Sequence, residues 1–295
     1  MTKNHKLAEW LELRIPYDSK GRNLNVDATC QKHLKNSKRL RLVDLGAGTG
    51  ANCRYYLSKI AQDQEWFLVE QNPELLEIAL DRLISWARNN GYESKSQNSR
   101  LVLENQDHKV TIHETVGSIL ELENLIDLET LDLAVANAVF DLFSEQQFQT
   151  LLEVLKKYQL PLLTTANYTG MSFNPPTEED LCFISYYHQH MQREQDFGRG
   201  MGPNCGSYMW EAMKGIGMRG LQGESPWEIS SSDSVFLQLL LEFMEKSIPE
   251  ILENASLEDE LNTWLRKKEQ MIAQQELSCS VAHQDFFGEW GTVTE

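Results

Sequence analysis

Three glycines in five residues, Gly46, Gly48 and Gly50, follow the apolar run "RLVDL" and lead into "ANCRYYLSKIA". Glycine lets a strand-to-helix turn take up unusual dihedrals and lets a ligand come close to the backbone. A helix opening there would offer free amides. The spacing also fits Gly-x-Gly-x-x-Ala, ending at Ala51, the fingerprint of a dinucleotide site. Both readings place an acid, Glu70, at the end of the next strand, where its two oxygens meet two ribose hydroxyls. Asp44 separates them. A carboxylate two residues before the first glycine would repel a pyrophosphate, but it suits a ligand with a cationic end. Adenosine, a free ribose, an amino group and a sulfonium together describe S-adenosylmethionine.

Other residues could act on a second substrate. Asn137 and Asp141 flank the mouth of the strand "TLDLAVANA", beside the expected position of a reactive methyl group; the simpler role for Asp141 is to cap the helix that starts near Ser144. His188 and His190, with Glu194 and Asp196, crowd the segment "YYHQHMQREQDFGRGMGP". A histidine there suits a base near neutral pH, and His190 is the preferred candidate, with Asp141 beside it. Arg14, Tyr17 and Asp18 end the first helical stretch, where Arg14 could bind a carboxylate. Tyr168, His188 and Phe197 complete the candidate acceptor contacts, and Phe183, Tyr186, Tyr187, Trp210 and Trp227 could enclose a small metabolite. No Cys, Asp or Glu cluster completes a metal site. The run Asn174-Pro175-Pro176 lies after strand five, away from the strand-four exit where amide methylases carry a similar motif, and reads as a rigid turn.

The elements that must hold these residues alternate strand and helix from residue 39 to 170, which predicts a parallel sheet covered on both faces. Residues 91–108 are polar and read as loop. "MRGLQGESPWEIS" and "LSCSVAHQDFF" are the last strand-like runs, with two helices between them. The first 38 residues read as one or two helices broken near Pro16.

The 295 residues carry a formal charge of −17, which disfavours duplex nucleic acid and anionic membranes as partners. Five scattered cysteines without CxxC spacing predict reduced thiols and a cytoplasmic location. The N-terminus lacks an apolar signal core, and no apolar run approaches the roughly 18 residues of a bilayer span.

"VDLGAGTG", "LVEQNPELLEIA" and "LDLAVANAVFDLFS" resemble motifs of the class I S-adenosylmethionine-dependent methyltransferases. "WLELRIPYD", "HMQREQDFGRGMGP", "ESPWEI" and "VAHQDFF" extend the resemblance to a group of small bacterial members of unassigned substrate. The resemblance implies a Rossmann-like α/β fold, with a seven-stranded sheet, helices on both faces and strand seven antiparallel. It divides one domain into an N-terminal helical cap (1–38), a cofactor-binding core (39–170), a lid after strand five (171–205) and a C-terminal part completing the sheet (206–295). The cofactor contacts it implies are Asp44, Gly46, Ala47, Gly48, Gly50, Asn52, Glu70, Gln71, Ser118, Ile119 and Asn137. Ser118 stands where many relatives have an Asp for the adenine amino group. The expected reaction is O- or N-methylation of a small molecule by a monomer or homodimer. A non-catalytic cofactor-binding protein and a macromolecule methylase are the alternatives.

Overall fold

The computed structural model describes residues 3–35, 37–97, 100–195, 198–252 and 254–291. Three helices come first: α1 (Lys3–Leu13), α2 (Ile15–Gly21) and α3 (Leu24–Leu34). The first break falls at Arg14, and Pro16 sits in the opening turn of α2, where its missing N–H costs nothing. Then follow β1 (Arg39–Leu45), α4 (Ala51–Leu57), β2 (Asp63–Glu70), α5 (Pro73–Asn89), β3 (Glu93–Gln97), β4 (Arg100–Glu104), β5 (Lys109–Val116), α6 (Leu122–Leu125), β6 (Leu133–Asn137), α7 (Glu145–Lys157) and β7 (Leu162–Asn174). The chain ends with α8 (Asp180–Met191), β8 (Glu194–Gln195), β9 (Gly198–Arg199), α9 (Cys205–Gly215), β10 (Met218–Glu224), β11 (Trp227–Ile229), α10 (Ser234–Ser247), α11 (Ala255–Ala273) and β12 (Ser278–Trp290).

The main sheet runs β10-β12-β7-β6-β1-β2-β5-β4-β3, with β11 also paired to β12. Strands β5, β2, β1, β6 and β7 are parallel, and β12 is antiparallel to both β7 and β10. This is the Rossmann-like α/β order, but with ten strands among the described residues instead of seven. Two of the extra strands form the β3–β4 hairpin, in the stretch that reads as loop. β4 pairs antiparallel with β5 and buries Leu101 and Leu103. Glu93–Ser96 of β3 are all exposed, as edge strands are kept polar.

Helices α3, α4 and α5 close one face of the sheet over Leu42, Trp66 and Leu68. Helices α7 and α9 close the other over Val43, Leu45 and Phe286. α7 starts at a capping box in which Ser144 accepts from the Gln147 amide and Gln147 returns the bond. β7 and β12, at 13 residues each, outrun five-residue β6. A third apolar cluster is built on their overhang from α8, α10 and α11. The segment after strand five is therefore no loop: β7 continues to Asn174, and α8 follows. α8 is anchored by Asp180, which accepts from Lys268 Nζ at 2.7 Å and from the Trp264 indole at 2.7 Å.

Candidate functional site

The glycine turn joins β1 to α4. Gly46, Gly48 and Gly50 have φ of +69°, +52° and +73°, the left-handed region that side chains disfavour. A Cβ on Gly46 would lie 2.9 Å from Val139, and one on Gly48 would lie 3.1 Å from Leu11. The turn needs glycine for both reasons. It does not, however, offer free amides as the sequence suggests. The amides of Gly46 and Ala47 donate to Val69 O at 2.9 and 3.0 Å, Gly48 donates to Glu70 at 3.0 Å, and Gly50 donates to Ala47 O. The tight seam with β2 uses them up. A turn in this state is a wall to lie against and not a cradle for phosphate.

Glu70 is held in place by that seam. One oxygen accepts from Gly48 N and the other from Asn72 N at 3.0 Å, while each keeps lone pairs for a further donor. A cavity of ≈ 350 Å³ opens beside it, within the range of small-molecule sites. Gly46, Gly48, Glu70, Gln71, Ser118, Ile119 and Asn137 of the expected cofactor contacts line this cavity, and so do Arg14, Leu7 and Leu11 of the N-terminal segment. The Ser118 side chain is engaged in capping the turn at Leu120, at 3.2 Å. Ala47, Gly50, Asp44 and Asn52 stand behind the lining.

Asp44 is buried. Its Oδ1 accepts from Asn52 Nδ2 at 3.1 Å, while Oδ2 has no hydrogen-bond partner. Burial pushes its carboxyl up to about 7, against the pull of Asn52 and Arg22. An orphaned buried acceptor of this kind fits a ligand with a cationic amino group. Behind it runs a relay that the sequence hides. Asn52 Oδ1 accepts from Arg22 Nη2 at 2.7 Å, and Arg22 Nη1 donates to the Tyr56 hydroxyl at 2.7 Å. Tyr55 and Tyr56 both donate to Asp27, and Arg22 lies 4.0 Å from the Tyr55 ring centre. Nothing in the spacing of Arg22 and Asp27 points to a strand twenty residues away.

At the β6 exit, Ala138 takes φ +53°, a strained value for a residue with a side chain. The preceding Asn137 donates to Asp18 at 2.9 Å and accepts from Thr165 at 2.8 Å. Arg14 donates to Asp18 at 3.1 Å and to Asn137 O at 3.4 Å. The expected acceptor residues Arg14 and Asp18 thus meet where strand four ends, as an ion pair clamped onto it.

Beyond this clamp lies a second polar group. Tyr168 on β7 shares a 2.8 Å hydrogen bond with His188 on α8. The His283 ring on β12 lies tilted 4.5 Å from Trp227 and edge-on 6.0 Å from Tyr168, and Trp227 lies 5.8 Å from Arg14. Asp141 acts electrostatically on Tyr168 and Tyr187 and is itself acted on by Arg14. Four atoms here are buried without a hydrogen-bond partner among the described residues: Asp18 Oδ1, Asp141 Oδ1, Trp227 Nε1 and His283 Nδ1. Burial pushes Asp141 up to about 6 and Tyr187 up to about 12. It pushes His283 down to about 3, helped by Arg14, and also lowers His188. Sequence reasoning missed His283, although "VAHQDFF" contains it.

Several expected residues go elsewhere. Asp141 does not cap α7, since Ser144 does so itself. His190, two positions from His188 on the same helix, points away from it; it meets Glu250 at 3.1 Å and also Arg193. It therefore stands outside the polar group. The Tyr17 ring turns into the third cluster, 4.3 Å from Phe236. Phe183 packs on Trp264 and Trp210 on Phe286, so both are core. Asn174 ends β7 opposite Ser278, at the overhang. Phe197 and Asp196 lie outside the described residues. Among the described residues no group of three or more His, Cys, Asp or Glu could hold a metal ion, and no helix is long and apolar enough to cross a membrane.

Among solved structures, the chain is similar to a Haemonchus contortus phosphoethanolamine N-methyltransferase 2 in complex with phosphomonomethylethanolamine and S-adenosylhomocysteine. The two are 12% identical over 90% of this chain and 52% of that one, with a TM-score of 0.42. It is also similar to a cyclopropane synthase from Mycobacterium tuberculosis (12% identity, 89% and 84% covered, TM-score 0.45). An arsenic(III) S-adenosylmethionine methyltransferase from Chlamydomonas reinhardtii is a third such structure (15% identity, 87% and 65% covered, TM-score 0.41). The chain spans about half the length of the Haemonchus enzyme. No curated protein matches it significantly in sequence. The family model described as "Putative S-adenosyl-L-methionine-dependent methyltransferase" matches residues 27–255, and the chain belongs to that family of S-adenosylmethionine-dependent methyltransferases.

Proposed function

We propose that this protein transfers a methyl group from S-adenosylmethionine to a small-molecule acceptor held in the polar group around Asp141 and Tyr168. The observation that carries the reading is adjacency. Arg14 and Asn137 form one wall of the 350 Å³ cavity and, through Asp18, the floor of the second group. The cavity beside Glu70 and the polar group beside Asp141 therefore meet at the Arg14–Asp18 ion pair.

The cofactor would supply an electrophilic methyl on a sulfonium. Gly46 and Gly48 give the cofactor a close backbone wall, and Glu70 accepts hydroxyl donors from a held position. Asp44 has a free lone pair for an amino group. Leu7 and Leu11 add apolar lining from α1. Asn137 and Arg14 hold the boundary between the cavity and the polar group, across which an acceptor would have to lie for in-line displacement at the methyl. Asp141 would be the carboxylate next to the acceptor, with Tyr168, hydrogen-bonded to His188, within its electrostatic reach.

The family assignment carries the cofactor, and the acidic −17 charge supports a small acceptor over a nucleic acid. The test is calorimetric titration with S-adenosylhomocysteine, with NADH as control, followed by labelled-methyl turnover on small-molecule pools. Micromolar binding of the first ligand alone, with label incorporated into a small molecule, is the expected result. Binding of NADH, or label found only on protein or nucleic acid, would replace this reading.

A further inference from the structure

We propose that the acceptor is an amine that enters as an ammonium ion, its nitrogen held by Asp141 and its carbon skeleton enclosed by Tyr168, Tyr187 and Trp227. This rests on the methyl-transfer reading above and names its substrate class.

Asp141 Oδ1 is out of solvent and has no hydrogen-bond partner. Arg14 is the cation that acts on it, and Arg14 is already bonded to Asp18 and Asn137 O. Asp18, only 6% exposed, also leaves Oδ1 without a partner. Two carboxylates thus face one guanidinium. The neighbours that could rebalance them are neutral: burial raises Tyr168, Tyr187 and Cys205 and lowers His188 and His283. An uncompensated buried carboxylate is costly, and a ligand cation removes that cost. The walls favour the same charge, since the faces of Trp227 and the tyrosines attract cations. A carboxylate, phosphate or phenolate acceptor would instead meet two like charges and a guanidinium already claimed.

The chemistry balances without a further reactant. The ammonium passes one proton to Asp141. The exposed nitrogen lone pair forms the new C–N bond as the C–S bond breaks, and sulfur keeps the bonding pair. The product leaves as the methylated ammonium, and Asp141 returns its proton to solvent.

The test uses the full chain saturated with S-adenosylhomocysteine, whose own binding is measured first. Calorimetry then compares compounds of one skeleton: phenethylamine, 2-phenylethanol and 3-phenylpropionate, and butylamine, butanol and butyrate. The ammonium member of a set is expected to bind about tenfold or more tighter than its partners. Asp141→Asn should erase that preference while S-adenosylhomocysteine affinity stays within about twofold. Equal binding across both sets, no binding of either amine at millimolar concentration, or a preference that survives Asp141→Asn would overturn the amine assignment. If those outcomes come with normal S-adenosylhomocysteine binding, the methyl-transfer reading stands and only the acceptor class falls. Failure of S-adenosylhomocysteine to bind would remove both.

Discussion

Around the glycine turn, the amides of Gly46, Ala47, Gly48 and Gly50 and both oxygens of Glu70 are bonded within the protein. Around Asp141, four buried polar atoms from Asp18, Asp141, Trp227 and His283 have no hydrogen-bond partner among the described residues. The first region is a rigid wall completed before any ligand arrives. The second carries an electrostatic deficit that a ligand can settle. The contrast suits a common donor on one side and a selective acceptor site on the other, because unsatisfied buried groups reject ligands that cannot pair with them. Asp44 is the exception on the rigid side. Its orphaned Oδ2 marks where that wall also expects a donor.

The comparison can be broken most severely at Arg22. It is buried, it bridges Asn52 and Tyr56, and the relay to Asp44 passes through it. Arg22→Ala should destabilise the protein by about 3 kcal/mol, read as the shift in a urea unfolding midpoint. A loss below about 1 kcal/mol would show that the relay is not what completes the rigid side. Gly48→Val comes next. It puts a branched side chain at φ +52° and against Leu11. S-adenosylhomocysteine affinity should fall about 100-fold, equivalent to about 2.7 kcal/mol, while far-UV circular dichroism is unchanged. Undiminished affinity would mean that the cofactor does not lie against this turn.

A pH experiment sharpens the exception. Asp44 is held up at about 7, above its ordinary 3.8, so the folded state grips the proton more tightly than the unfolded chain does. The stability this group contributes is fully present below about pH 4 and is lost as pH rises towards 7. Asp44→Asn should therefore stabilise the ligand-free protein by roughly 4 kcal/mol at pH 7.5 and by only about 1 kcal/mol at pH 4.5. His283 works in the opposite sense. With its imidazole pushed down to about 3, its contribution is lost as pH falls below about 6.5. A stabilisation by Asp44→Asn that does not vary with pH would contradict the assigned burial.

The smallest effect is expected at His190. It is bonded to Glu250 and Arg193 near the surface. His190→Ala should cost below about 1 kcal/mol, and turnover should stay within about threefold of the parent. A larger fall in turnover at normal cofactor affinity would bring His190 back to the acceptor side.

How much of this was legible in the sequence follows the same division. Asp44, Gly46, Gly48 and Glu70 lie within one β-α-β unit, so their spacing along the chain already implies their spacing in space. Arg14, Asp18, Asp141, Tyr168 and His188 were legible as candidates, but not as neighbours. His190 looked equivalent to His188 because a sequence does not show which face of α8 meets β7. The β3–β4 hairpin was hidden because Glu93–Ser96 of β3 are all exposed.

The sequence by itself determined the alternation of strands and helices, the glycine turn, the acid behind it and the cofactor class. These depend on hydrogen bonds and sterics between residues close in the chain. Only the tertiary structure decided that Arg22 supports Asp44, that Asp18 pairs with Arg14, and that Asp141 shares that one guanidinium with Asp18. Those outcomes depend on which side chains from α2, β6, β7, β11 and β12 are buried together. Burial is a property of the assembled sheet, and it sets both the cost of a charge and the identity of the partner that can relieve it.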